Sequence, residues 1–157
     1  MRFLLIDQIT EWEPGKAGAA TKNVALSEDF FDDHFPLKPI MPGVLLVEGM
    51  AQLSGLVIEE GVRKESGRNV KALMSIIEKA KFRKPVHPGD SLEYRAIIQS
   101  INEDGAKANV KAYVDHELVA DCNLVFSFHE IDHARLEARR ADILSFWLKG
   151  VHADGRS

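Results

Sequence analysis

From Val44 to Ile58 the chain is apolar on every face, with Glu48, Gln52 and Ser54 as its polar interruptions. That is too long for most strands and predicts a helix surrounded by protein. Pro42 and Gly43 read as its entrance, because a proline in the first turn gives up an amide hydrogen that has no helical acceptor. The helix is expected to end about Glu60, with Gly61 as its stop. Elsewhere apolar and polar positions alternate with the period of strands. The predicted strands are Arg2 to Thr10 and Ala17 to Leu26 around a Pro14-Gly15 turn, then Val70 to Phe82, Ser91 to Ile101, Lys107 to Val114 and Leu118 to Phe128. Asn102-Glu103-Asp104-Gly105 and Asp115-His116-Glu117 are hairpin connections, and Pro85 to Asp90 (PVHPGD) forms another turn. Ser27 opens a short turn or helix. The loop from Asp29 to Pro42 carries His34, and the polar stretch Arg63 to Asn69 is an exposed connection.

One buried helix with consecutive hairpin strands implies an antiparallel sheet wrapped around that helix, an α+β domain. A tail follows Phe128. Between Ala134 and Val151, Leu136, Ile143, Leu144, Trp147, Leu148 and Val151 recur at helical spacing opposite Arg135, Arg139 and Asp142. This predicts an amphipathic helix packed on its own domain or on a partner subunit. The expected division is therefore a domain over 1–128 and a helical extension over 129–157.

Length and composition restrict the function classes. A chain of 157 residues with 28% charged residues suits one soluble globular domain. A net charge of −4 argues against a general nucleic-acid binder, which needs a basic excess to neutralise phosphates. Cys122 stands alone, so no intrachain disulfide forms, and a reducing cytoplasm is the expected location. The apolar start is ended by Asp7, too soon for a signal peptide, and the central helix is interrupted before it could span a membrane.

The stretch from Phe30 to Gly55, FFDDHFPLKPIMPGVLLVEGMAQLSG, combines one histidine, three prolines and a carboxylate inside an apolar helix. A carboxylate there is costly unless it is neutralised, paired or used, which singles out Glu48. The segment resembles the FabZ-type 3-hydroxyacyl-[acyl-carrier-protein] dehydratases of the hotdog-fold superfamily, whose motif runs FFxGHFPxxPxxPGVLxxEAxAQ. Here FF, HFP, KP, PGVL, the glutamate and MAQ fall in place, with His34 and Glu48 separated by 14 positions and no gap. A second stretch, KAKFRKPVHPGDSLEY from Lys79 to Tyr94, is similar to the family's RFKRPVxPGD segment. The family pattern has glycine where this chain has Asp33 and Leu37, and alanine where it has Gly49.

The resemblance implies a hotdog fold and reversible dehydration of a (3R)-3-hydroxyacyl thioester on an acyl carrier protein, without a cofactor or metal. Glutamate at position 48, where the FabA branch carries aspartate, favours dehydration without double-bond isomerisation. Such a reaction needs a base for the C2 proton, an acid for the departing C3 hydroxyl and stabilisation of the thioester oxygen. His34 has the side chain suited to the base role at neutral pH. Glu48, in apolar surroundings that favour the neutral carboxyl, can supply the proton. Gly43 stands where the helix N-terminus can face the carbonyl oxygen, and Gln52, one turn beyond Glu48, can orient the carboxyl.

Lys79, Lys81, Arg83 and Lys84 form a basic cluster in an otherwise acidic chain, which the resemblance assigns to docking the acidic carrier protein and its phosphopantetheine arm. It also implies a homodimer, or a trimer of such dimers, with the histidine from one subunit meeting the carboxylate of the other. His129-Glu130-Ile131-Asp132-His133 matches the HExxH zinc pattern, but that pattern requires both imidazoles on one helical face, and here it follows a strand. Neither metal nor nucleic acid is expected. Other readings are a hotdog thioesterase or coenzyme A-linked hydratase, and an acyl-binding paralogue without turnover.

Overall fold

The computed structural model describes residues 4–151. Six strands form one antiparallel sheet: β1 (Gln8–Glu13), β2 (Ala17–Asn23), β3 (Val70–Phe82), β4 (Ser91–Ile101), β5 (Gly105–Val114) and β6 (Glu117–Glu130). Their spatial order is β1-β2-β4-β5-β6-β3, so β1 and β3 are the edges. Helix α1 (Gly43–Ser66) lies against the sheet and touches β2 through β6. A second helix, α2 (Ala134–Trp147), follows β6, and a short 3₁₀ turn spans Asp29–Asp32. This is the α+β arrangement expected from the pattern.

Strand alternation produces the core. In β4, Leu92, Tyr94 and Ala96 are buried while Ser91, Arg95 and Ile97 are exposed, and β5 buries Ala106, Ala108, Val110 and Ala112 in the same rhythm. Across from them α1 buries Met50, Leu53, Val57 and Ile58. Small side chains on β5 let the helix approach the sheet. The tightest approach is Gly49 against Tyr94, where a Cβ on the glycine would fall 2.5 Å from the tyrosine Cζ. Burial also raises the Tyr94 hydroxyl well above its ordinary pKa, with Asp7 adding to the effect. Its oxygen has no hydrogen-bond partner among the described residues.

Several boundaries differ from expectation: β2 ends at Asn23 rather than Leu26, β6 runs on to Glu130 rather than Phe128, and α1 and β1 differ more. Helix α1 does not stop at Gly61 but continues to Ser66. Gly61 is a close-approach residue: a Cβ there would fall 2.6 Å from the Gly15 nitrogen, in the β1–β2 turn. The true stop is Gly67, left-handed at φ +71°, whose amide donates to the Arg63 carbonyl at 2.9 Å. The connection expected from Arg63 is therefore largely helix. Among the described residues the first strand runs from Gln8 to Glu13, continuing past Thr10 through a bulge between Ile9 and Glu11 that breaks the period-two pattern. Residues 2 and 3 of the expected first strand and 152–157 of the expected extension lie outside the described residues.

Candidate active site

Helix α1 positions Glu48 in its second turn, half-buried, beside a cleft of about 690 Å³. The Gln52 amide nitrogen donates to Glu48 Oε1 at 3.1 Å, and the Gln52 amide oxygen accepts from the Leu5 backbone at 3.0 Å. Holding both ends fixes which way the amide faces, because the Leu5 amide can only donate. Gln52 thus orients one carboxylate oxygen and leaves Oε2 as the one able to exchange a proton. The cleft wall continues along the helix through Ala51, Gly55 and Leu56, and across to Ala72, Leu73, Met74 and Phe126. It is an apolar cleft with a few polar groups, the usual character of a small-molecule site.

His34 sits half-buried at the end of the 3₁₀ turn. Its Nδ1 is 2.7 Å from the Ile40 carbonyl oxygen. A carbonyl only accepts, so Nδ1 carries the hydrogen and the neutral ring keeps its lone pair on Nε2. The loop is held closed on itself, with the Ile40 amide donating to the His34 carbonyl at 2.9 Å. This arrangement makes Nε2 a base with a fixed direction. His34 is not among the residues that line the cleft beside Glu48.

Gly43 begins α1 behind Pro42. Its amide belongs to the first helical turn, where the helix supplies no acceptor. A Cβ at Gly43 would fall 2.9 Å from the Phe82 ring, so the absent side chain also serves packing against β3. Of the basic cluster, Lys79 and Lys81 are exposed, whereas Arg83 pairs with Asp121 at 2.8 Å and Lys84 pairs with Glu117. Half of that positive charge is therefore balanced within the chain. His129 lies in β6 and His133 caps α2, so they do not share a helical face.

Three features of the site escaped the sequence reading. Glu59 is only 1% exposed. It stands 11 positions after Glu48, three helical turns along the same face, and that spacing was the available signal. Its Oε1 accepts from the Ala72 amide at 2.9 Å and lies 3.4 Å from Lys71 Nζ; its Oε2 faces Arg140 Nε at 3.2 Å. Second, Arg140, Ile143 and Trp147 of α2 line the Glu48 cleft. Third, β3 leaves Leu73, Met74, Ile76, Ile77 and Phe82 exposed, as are Leu37 in the loop after His34, at 106%, and Val44 in the first turn of α1, at 74%. Leu37 has φ +67°, a left-handed conformation that glycine takes without strain, which accounts for glycine in the family pattern.

Among the described residues, no helix is long and apolar enough to cross a membrane. A family model described as FabA-like domain matches residues 1–128 and ends before α2. The 3-hydroxyacyl-[acyl-carrier-protein] dehydratase FabZ of Clostridioides difficile is 40% identical over 128 residues, covering 82% of this chain and 88% of that protein. The FabZ dehydratase of Geotalea uraniireducens is 44% identical over 130 residues, again covering 82% and 88%. Among solved structures, a hypothetical thioesterase with coenzyme A from Streptococcus pneumoniae superposes with a TM-score of 0.63 at 12% identity, covering 80% of this chain and 88% of that one. The dehydratase heterocomplex ApeI:P from Xenorhabdus doucetiae gives 0.59 at 18% identity, covering 79% and 99%. Those two likenesses concern the fold alone.

Proposed function

The chain belongs to the FabA-like domain family, and from that membership we propose that it is a 3-hydroxyacyl-[acyl-carrier-protein] dehydratase with His34 as base and Glu48 as acid. It removes water reversibly from the carrier-bound thioester in acyl-chain biosynthesis. His34 Nε2 takes the C2 proton, the C2–C3 double bond forms, and Glu48 Oε2 protonates the departing C3 hydroxyl. The amide of Gly43 at the positive end of α1 stabilises charge on the thioester oxygen. Every electron pair in this sequence stays within substrate, His34 and Glu48, so no cofactor is required.

The observation that carries this reading is the pair of fixed orientations: Ile40 holds the histidine as an Nε2 base, and Gln52 holds one carboxylate oxygen of Glu48. That His34 does not line the Glu48 cleft of its own chain supports a site shared between two subunits. The exposed apolar residues on the β3 edge and on the loop after His34 supply the surface for a two-fold partner. Lys79 and Lys81 supply the positive charge for steering an acidic carrier protein.

Incubation with crotonyl and longer enoyl carrier-protein thioesters tests the reaction. Formation of the 3-hydroxyacyl thioester is expected. Release of free thiol would instead identify a thioesterase, and binding without conversion would identify an acyl-binding protein.

A further inference from the structure

Helix α2 lies beyond the family match, yet three of its residues line the same cleft as Glu48. It is anchored at both ends. Near its start, the Asn69 amide donates to Glu137 at 2.9 Å, and Arg140 faces the buried Glu59 carboxylate at 3.2 Å. Glu59 reaches α1, β3 and α2 together, through its own helix, the Ala72 amide and Arg140. At the other end Leu144 and Trp147 are buried. Trp147 and Ile143 also border a second hollow with Leu4 and Ile6. Leu5, between those two, donates its amide to Gln52, the residue that orients Glu48. The helix therefore crosses from the Glu59 end of α1 to its Gln52 end, over the stripe Glu48, Gln52, Leu56 and Glu59.

From this placement we propose that α2 forms a wall of the acyl-binding cleft and that Ile143 and Trp147 are specificity-determining residues that limit the length of acyl chain accepted. The inference rests on the dehydratase reading for the identity of the ligand. Its physical basis is the apolar lining: an acyl chain leaving the thioester beside Glu48 gains by following Ala51, Gly55, Leu56 and Phe126. On the open side of that path the indole and the isoleucine side chain are what it meets. A pocket discriminates chain lengths chiefly by the volume at the end of the path, where each misfit methylene changes selectivity by about 10-fold or more.

The test compares the selectivity ratio, kcat/KM for decenoyl over kcat/KM for crotonyl carrier-protein thioester, in wild type, Trp147→Ala, Ile143→Ala and Trp147→Phe. Both alanine variants are expected to raise the ratio, by about 10-fold at Trp147 and less at Ile143, with Trp147→Phe lying near wild type. A loss of folding would lower both rates together and leave the ratio where it was, so the alanine variants are first matched to wild type by circular dichroism and thermal midpoint. An unchanged ratio in folded variants overturns the proposal, and where they fail to fold the fluorescence titration decides. A second readout does not depend on turnover. In a Trp12→Phe background Trp147 is the sole tryptophan. Saturated decanoyl thioester should then change its fluorescence to saturation, while acetyl thioester should not. Should the wild type hydrate no enoyl thioester, the dehydratase reading falls, and this titration alone decides the wall: an unchanged Trp147 signal rejects it.

Discussion

Helix α1 presents two faces to two different environments. Toward the sheet it is dry: Met50, Leu53, Val57 and Ile58 are buried, and Gly49 lies against Tyr94 so closely that no larger residue fits. Toward α2 it is polar at both ends, with Glu48 and Gln52 at one and Glu59 at the other. The first face is stabilised by burial and depends on volume. The second depends on pairing, because each carboxylate there needs a partner or a use. On the proposed function, the difference would let a single helix serve as both core and active site: the sheet-side packing holds the backbone, and the polar residues on the other side are held with it.

The largest expected break in this comparison comes from the polar face. Glu48→Gln keeps the size of the side chain but removes the exchangeable proton, and turnover should fall by about 10²- to 10⁴-fold with the thermal midpoint little changed. His34→Ala should lose activity to a similar extent. On the dry face, activity is not the sensitive quantity. Gly49→Ala forces a methyl group into the Tyr94 ring and should cost about 1–3 kcal/mol of stability by denaturant unfolding. The added Tyr94→Leu change should recover part of that loss. The smallest effect belongs to Tyr94→Phe, which removes a buried hydroxyl that has no partner among the described residues. It should be neutral or stabilising, by up to about 1 kcal/mol. A large activity loss in Gly49→Ala with stability intact would erase the distinction between the faces.

Much of this was legible in the sequence. The apolar helix, the strand alternation and the ungapped spacing of His34 and Glu48 are local patterns, and local patterns survive in a linear reading. Gly61 was misread because a glycine that ends a helix and one that admits a neighbouring backbone look alike until the neighbour, Gly15, is placed. Gln52 was recognised as a partner of Glu48, one turn away, but its other anchor is the Leu5 amide, 47 residues distant, and no spacing rule reports that contact. Ile143 and Trp147 read correctly as parts of an amphipathic helix, whereas nothing in the pattern singles out Arg140. Where that helix docks depended on Glu59, whose burial follows from the sheet rather than from its own neighbours in sequence.

The central claim is that His34 and Glu48 act as one acid–base pair, met across two subunits. Mixing His34→Ala with Glu48→Ala chains under conditions of subunit exchange tests it most directly. Each mixed dimer holds one site with both residues lost and one with both intact. With random pairing half the dimers are mixed and half their sites are complete, so about a quarter of wild-type activity should return from two inactive parents. Chains shown to exchange subunits, yet showing no recovery of activity, would contradict the account.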